Sequence, residues 1–347
     1  MGGNTFHAAL DYLISTEQPD KVDLIQTAVK FFEDRIPKTP PEKWVEDGIW
    51  IDDYGWWGIA LMRAYNNPSL GYDEQMRQKL AEHAQNCWNA MKYGWVDTPL
   101  SPSVPITGGV ANTNRGGSLA GRNCVTNEVY WLLSHYLSVA FGPRYLDPST
   151  NAANWFAMGK QQGVLFNGSG FVLERFRGVG NGFLNPEWSW LGDQGLFMYG
   201  CSRDVPTGPG INRAQADATA NAVMQFGPVD GILNEGLCPE SEFYLDYAGG
   251  KGVFIRYLGY MSANSHPPVD KYNRFLLTNA TAVWNNRSAD GKFHYWWNLQ
   301  SDGDINWSYD TAVSDSVLHA SGLAALTACL LNGMGEQVIP AVVTTEA

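Results

Sequence analysis

The feature that most constrains this chain is an almost wholly apolar run at residues 50–65, which contains no proline. Its apolar residues go all the way round a helical projection, a pattern typical of a buried helix. Two adjacent aspartates, Asp52 and Asp53, lie within the run. Burial of two neighbouring carboxylates is costly, and the one cation of the run, Arg63, lies about 16 Å further along the helix. We therefore expect either partners from another segment or a cavity in which the pair does chemistry.

Composition narrows the classes of partner. The chain has 347 residues, of which 44% are hydrophobic and 17% charged, and its net charge is −12. Nucleic acids and anionic membrane surfaces need basic patches, so we expect neither as a partner. No apolar run approaches the ~18 residues that a membrane span needs. The 14 Trp and 16 Tyr could stack on sugar rings, although most aromatic residues of a helical domain pack in its core.

The sequence predicts no metal site and no cofactor. The five cysteines are scattered without a C-x-x-C motif or a nearby histidine, which argues against zinc. Their odd number leaves at least one thiol free. Magnesium-dependent prenyl or terpene chemistry requires a D-D-x-x-D motif, and in this chain Trp56 occupies the position of the third aspartate. Asp302, Asp304 and Asn306 fit the start of a calcium loop, but Trp307 occupies the position that requires glycine.

Helical periodicity dominates the chain and predicts one domain over residues 1–336 with a frayed tail at 337–347. The predicted helices cover residues 6–15, 22–34, 50–65, 74–93, 124–141, 151–166, 188–201, 213–225, 252–264, 271–285 and 315–331. Short strands are predicted at 170–176 and 293–297.

About a dozen helices without heptads suggest an all-α toroid, the (α/α)6 barrel, in which six inner helices are ringed by six amphipathic outer helices. The run 50–65 is typical of an inner helix, and 74–93, with its charged face, of an outer one. A helical solenoid is the alternative architecture, but no fixed repeat period is evident. The irregular stretch 97–121 could overhang a cleft.

The spacing of the two aspartates suits glycoside hydrolysis. Residues i and i+1 of a helix can hold their carboxyls roughly 5–7 Å apart. Retaining glycosidases need about 5–5.5 Å and inverting enzymes about 6.5–9.5 Å, so the spacing weakly favours retention. Trp56 and Trp57 follow one turn later, and mutual repulsion should raise the pKa of one aspartate. Two other interpretations of the pair are a metal site, which lacks the third aspartate, and a helix cap, for which Asp47 is the more suitable N-cap.

These residues resemble glycoside hydrolase family 76, which comprises bacterial and fungal endo-α-1,6-mannanases and fungal cell-wall transglycosidases. The run D-D-Y-G-W-W at 52–57 is similar to the family's D-D-x-x-W-W signature. Residues 122–127 resemble a K-N-A-I-S/T-N segment, 192–195 a Y-N-Q-G turn, and 250–258 an F-K-G-I-F-x-R-x-L helix start. The likeness runs from about Trp50 to Leu326.

The resemblance implies an (α/α)6 barrel and a retaining mechanism, with Asp52 as nucleophile and Asp53 as general acid/base. It implies substrate contacts at Tyr54, Trp56, Trp57, Asn123, Asn127, Asp193, Gln194, Lys251 and Arg256, although an ion-pair role for the last two is equally open. Three residues depart from the family pattern: Gly250 before the lysine, Asp193 in place of Asn, and Glu128 in place of Gly.

Four functions stay open at this point. The leading one is an endo-α-1,6-mannanase, a monomer acting on α-mannan or mannooligosaccharides. The others are a transglycosidase of mannose-containing cell-wall glycans, an unsaturated uronide hydrolase on the same barrel, and a carbohydrate-binding module without turnover. The start Met1-Gly2-Gly3 has no secretory leader pattern. We expect that a leader has been removed and that the protein is secreted or held at the cell surface.

Overall fold

A computed structural model of the chain describes residues 2–18, 22–47, 50–113, 121–179, 187–203, 209–235, 247–298 and 315–338. The α-helices that form the inner ring are α1 (Gly2–Ser15), α3 (Ile51–Tyr65), α5 (Cys124–Phe141), α7 (Leu191–Ser202), α9 (Gly250–Ala263) and α11 (Asp315–Leu331). The helices outside that ring are α2 (Val22–Glu33), α4 (Glu74–Tyr93), α6 (Leu146–Gln161), α8 (Arg213–Phe226), α10 (Asp270–Asn285) and the short α12 (Gly335–Val338). Short 3₁₀ helices cover Pro41–Asp47, Pro68–Leu70 and Pro143–Tyr145.

The inner helices close a ring, because each packs against the next and α11 packs back against α1. The pairs also run in the same direction. Gly55 and Gly58 of α3 meet Val129 and Leu133 of α5 in the same order. The fold is therefore an (α/α)6 barrel, with the N-terminal ends of its inner helices at one end, hereafter the N-terminal end of the barrel.

Glycine allows the closest of these contacts. A Cβ on Gly195 of α7 would lie 2.6 Å from the Cα of Phe254 in α9. Because that contact is to backbone, only a shift of a whole helix could relieve it. These two inner helices approach more closely than side chains would permit.

Most helix boundaries lie within three residues of the predictions, but α1 begins four residues earlier than predicted and α6 is displaced by five residues at both ends. Helix α6 begins at Leu146, five residues before the predicted start, with Pro148 as its third residue. Proline is tolerated there because the first-turn N–H groups have no intrahelical partner. The predicted N-cap Asp47 is wrong: the residue at that position of α3 is Trp50, and no side chain caps it.

The predicted strands were wrong within the described residues. Residues 170–176 contribute only an isolated bridge between Phe166 and Val172, and 293–297 contain no strand. The one ladder described pairs Pro228–Val229 with Ile232–Leu233. Its turn residues Asp230 and Gly231 both have positive φ. Asp-Gly is the common sequence of such a turn, so the sequence carried a signal for this hairpin.

Several expectations fall outside this part of the chain, namely the calcium-loop residues 302–306 and most of the tail 337–347. In the segments that the structure does describe, every helix is too short or too polar to cross a bilayer. The same segments contain no cluster of three or more His, Cys, Asp or Glu side chains that could hold a metal ion.

Candidate active site

Asp52 and Asp53 lie in the first turn of α3 at the N-terminal end of the barrel, and both are half-buried. The N-terminus of a helix carries a partial positive charge, which favours acidic side chains in the first turn. Arg63, near the other end of the same helix, pairs with Asp11 at 2.9 Å. The cation of this helix is therefore committed away from the two aspartates.

The carboxyl of Asp52 titrates far from its ordinary range. Burial and, second, repulsion by Asp53 raise the pKa of Asp52 to about 7. A hydrogen bond from the Trp56 side chain acts in the opposite direction. Asp52 therefore keeps its proton up to nearly neutral pH.

Trp56, one turn after Asp52, contacts the residue that precedes α7. Its ring meets the ring of Trp190 edge to face, with centroids 6.3 Å apart. Trp190 directly precedes α7 and donates its indole N–H to the carbonyl of Tyr247 at 2.9 Å. The side chain of Tyr247 packs in turn against Trp188 at 4.5 Å. Trp56 therefore belongs to an aromatic cluster that extends from α3 to the residues before α7.

Glu235 joins two inner helices at the same end of the barrel. Its Oε1 accepts the N–H of Leu191 at 3.4 Å, and its Oε2 accepts the N–H of Lys251 at 2.5 Å. These N–H groups belong to the first turns of α7 and α9, which have no internal acceptor for them. Burial raises the pKa of Glu235 to about 7, against the attraction of Lys251.

Lys251 is buried in an aromatic site of its own. Its ammonium donates to the carbonyl of Tyr295 and lies over the rings of Tyr295 and Trp297 at 4.2 and 5.1 Å. The Tyr295 hydroxyl donates to the carbonyl of Glu235 at 3.1 Å. This lysine thus holds the segment 295–297 against α9.

A second group of carboxyls is fully enclosed between α5 and α7. Burial raises the pKa of Glu128 and of Asp193 well above the ordinary values, and repulsion by Asp193 raises that of Glu128 further. Burial also raises the pKa of Glu174 nearby, although Arg175 opposes it. The two positions that depart from the family pattern, Glu128 and Asp193, therefore lie close enough to influence each other, and burial favours the protonated form of both.

Three of the predicted substrate contacts hold the surrounding segments in place. Asn123 caps α5 and donates to Glu174 at 2.9 Å. Asn127 accepts from the N–H of Val110 at 2.7 Å and donates back to its carbonyl. Gln194 makes the same reciprocal pair with the backbone of Val172. The amides of Asn127 and Gln194 thus provide the hydrogen-bond partners that a neighbouring strand would otherwise give to these loop residues.

Three more of these residues have packing or ion-pair partners elsewhere in the barrel. Tyr54 packs on Trp44 at 5.2 Å, next to the 3₁₀ helix that precedes α3. Trp57 packs on Phe32 at 5.2 Å, between α3 and α2. Arg256 is buried against Asp11 at 3.2 Å, which is the ion-pair alternative.

Sequence reasoning did not name Glu174, Trp190 or Glu235 as site residues. No local motif marks Glu235, because its partners lie 44 and 16 positions along the chain. Trp190 carried a weak signal, since it lies in the first turn of the predicted helix that contains the G-D-Q-G turn. Glu128 had been noted only as a departure from the family pattern.

Comparison with known proteins decides the relationship. The sequence model described as "Glycosyl hydrolase family 76" matches residues 1–331. The chain belongs to this family. None of the curated proteins matches the sequence significantly.

Solved structures of family 76 enzymes share the fold. The GH76A α-1,6-mannanase from Salegentibacter sp. HEL1_6 is 20% identical, with a TM-score of 0.72 over 95% of this chain and 88% of that one. An inactive variant of that mannanase, with two consecutive aspartates replaced by asparagine, is a complex with α-1,6-mannotriose and matches equally well. Dfg5 from Chaetomium thermophilum, in complex with glucosamine, is 15% identical, with a TM-score of 0.71 over 95% of this chain and 80% of that one.

Proposed function

We propose that this family 76 chain is a retaining, endo-acting glycoside hydrolase that cleaves α-1,6-mannosidic linkages. The observation that carries the proposal is the half-buried pair Asp52 and Asp53 at the N-terminal end of the barrel, with Trp56 against it. The chain contains no other consecutive aspartates. The Salegentibacter mannanase supports the proposal, because its variant with two consecutive aspartates replaced is described as inactive and binds α-1,6-mannotriose.

In the proposed first step, the Asp52 carboxylate attacks the anomeric carbon while Asp53 gives its proton to the departing glycosidic oxygen. This produces a covalent β-mannosyl ester on Asp52 and releases one chain fragment. In the second step, Asp53, now a carboxylate, takes a proton from water as that water attacks the anomeric carbon. The ester breaks, Asp52 leaves as a carboxylate, and the α configuration is restored.

The electrostatics of the pair are compatible with this sequence of steps. Double displacement needs one ionised and one protonated carboxyl, and a pair that shares a proton near neutral pH satisfies that need. In the free protein the raised pKa belongs to Asp52. The proposed roles need an ionised Asp52 and a protonated Asp53, so the proton has to move to Asp53 when the sugar binds. Hydrogen bonding from Trp56 favours the ionised form of Asp52 and supports this distribution.

The first test is a digest panel with α-1,6-, α-1,2- and α-1,3-linked mannans, β-mannan, and oligosaccharides that end in an unsaturated uronide. We expect new reducing ends only from the α-1,6-linked substrate, with oligosaccharides of several lengths appearing early. Longer products in the presence of an acceptor sugar would identify a transglycosidase instead. Cleavage of the uronide substrate, or binding without turnover, would overturn the proposal.

The second test assigns the two roles. Asp52→Asn and Asp53→Asn should each lower kcat/KM by about three orders of magnitude or more in folded protein. With an activated α-mannoside, azide should rescue Asp53→Asn and give the α-mannosyl azide through the covalent intermediate. Azide should rescue Asp52→Asn by direct displacement and give the β-mannosyl azide. The opposite pair of products would exchange the two roles.

A further inference from the structure

We propose that Glu235 is a positioning residue for the Asp52 carboxyl, and that it acts through Trp190 and Trp56. The kinetic part of this inference rests on the proposed function. A second, spectroscopic part does not require turnover.

The carboxylate of Glu235 caps the N-terminal ends of two helices. Trp190 and Gly249 occupy the N-cap positions of α7 and α9, and neither supplies a side-chain cap. Glu235, which is 3% exposed, accepts one N–H from the first turn of each helix, from Leu191 and from Lys251. The relative position of the two helix starts therefore depends on this side chain.

Glu235 also packs beside the indole of Trp190. A Cβ on Gly250 would lie 2.2 Å from the indole nitrogen of Trp190 and 2.7 Å from Oε2 of Glu235. The indole and the carboxylate thus contact the same side-chain-free position. A movement of the carboxylate would change the space available to the ring.

Trp190 is linked to the proposed nucleophile, Asp52, through Trp56. The planes of Trp190 and Trp56 are inclined at 83°, so the edge of one ring meets the face of the other. Trp56 follows Asp52 by one turn on the same face of α3, and its indole lowers the pKa of Asp52. The contacts therefore lead from Glu235 through two indoles to the face of α3 that carries Asp52.

The alternative is that Glu235 is a helix cap with no influence on Asp52. The two interpretations differ in how Glu235 and Trp56 depend on each other. A cap that acts only on stability would change the rate by the same factor whether or not Trp56 is present. A positioning residue that acts through Trp56 would lose its influence when Trp56 is replaced.

The kinetic test is a double-mutant cycle of Glu235→Gln and Trp56→Phe on the α-1,6-linked substrate. We expect Glu235→Gln to lower kcat by about 10- to 100-fold with little change in KM, and to lower it less than about threefold in the Trp56→Phe background. Equal factors in the two backgrounds would overturn the inference. The matched control is Asn212→Ala, which removes the N-cap of outer helix α8 and should lower the melting temperature without changing kcat.

The spectroscopic test uses ¹⁹F NMR of protein labelled with 5-fluorotryptophan, with signals assigned by Trp→Phe variants. Glu235→Gln should shift the signals of Trp190 and Trp56. The signal of Trp88, whose indole donates to Ser134 elsewhere in the barrel, should stay unchanged. An unshifted Trp56 signal would overturn the inference.

If the Gln variant does not fold, Glu235→Asp, which keeps the charge but shortens the reach, replaces it in both tests with the same expectations. Failure of the proposed function would appear separately, as a wild-type protein that forms no product from any mannan. The signals of Trp56 and Trp190 would still test the positioning role in that case.

Discussion

Arg63 donates from Nε to Oδ1 of Asp11 at 2.9 Å and ties α3 to α1 near the C-terminal ends of both helices. Arg256 of α9 approaches the other oxygen of Asp11 at 3.2 Å. The Tyr260 hydroxyl donates to the same carboxylate at 2.5 Å. One buried acid thus joins three inner helices, about 16 Å along α3 from Asp52. The ring of helices is held by charge at this end, while the acidic pair at the other end has no such cation on its own helix.

Replacement of Asp11 by Asn should be strongly destabilising, because two arginines would lose their buried anion. We expect the free energy of unfolding to fall by about 3–5 kcal/mol, measured by urea denaturation. Asp34→Asn is the control, since Asp34 pairs with Lys30 at the surface with both side chains largely exposed. It should cost at most about 1 kcal/mol. Equal losses in the two variants would contradict a structural role for the Asp11 cluster.

The stability of the protein should fall as the pH rises through neutrality. The folded-state pKa of Asp52, about 7, lies above its ordinary value of 3.8. Such a group favours the folded state below the lower value, and this contribution is lost as the pH rises through the higher value. Asp52→Asn removes the titration. The melting temperatures of variant and wild type should be similar near pH 3, diverge as the pH rises from about 4 to 7, and differ by several degrees in favour of the variant at pH 8. Parallel curves across this range would show that Asp52 does not titrate there.

Trp56→Phe should shift the acidic limb of the pH–rate profile to higher pH. The indole hydrogen bond lowers the pKa of Asp52, so its loss leaves the carboxyl protonated to a higher pH. The measurement is kcat/KM on the α-1,6-linked substrate between pH 4 and 9. Trp88→Phe, which removes an indole hydrogen bond to Ser134, should leave the limb in place. A limb that stays fixed in Trp56→Phe would argue against this hydrogen bond.

Gly195→Ala should disrupt the contact between α7 and α9. The added methyl would lie 2.6 Å from the Cα and 3.0 Å from the N of Phe254, and backbone atoms cannot move without their helix. We expect a loss of about 2–3 kcal/mol in the free energy of unfolding. Gly168→Ala is the matched control, because a methyl group at that position would meet no other atom within 4 Å. A stable Gly195→Ala variant would mean that the two helices are free to separate.

Local sequence was sufficient for most of the helices and for the class of fold. The start of α3 was predicted within one residue and its end to the residue, because periodicity and the absence of proline are properties of the segment itself. The family resemblance, confirmed over residues 1–331, supplied the (α/α)6 arrangement. The start of α6 was missed, since a proline in a first turn is hard to distinguish locally from one that ends a helix.

The candidate site divides along the same line. The adjacency of Asp52 and Asp53 is written in the sequence, and so is their distance from Arg63, because both follow from the spacing of residues along one helix. Which amides brace loops, which acid ties α7 to α9, and where Arg63 finds its anion were decided only by the tertiary structure. Those partners lie up to 52 positions apart, and only the packing of separate helices into a closed ring brings them within hydrogen-bonding distance.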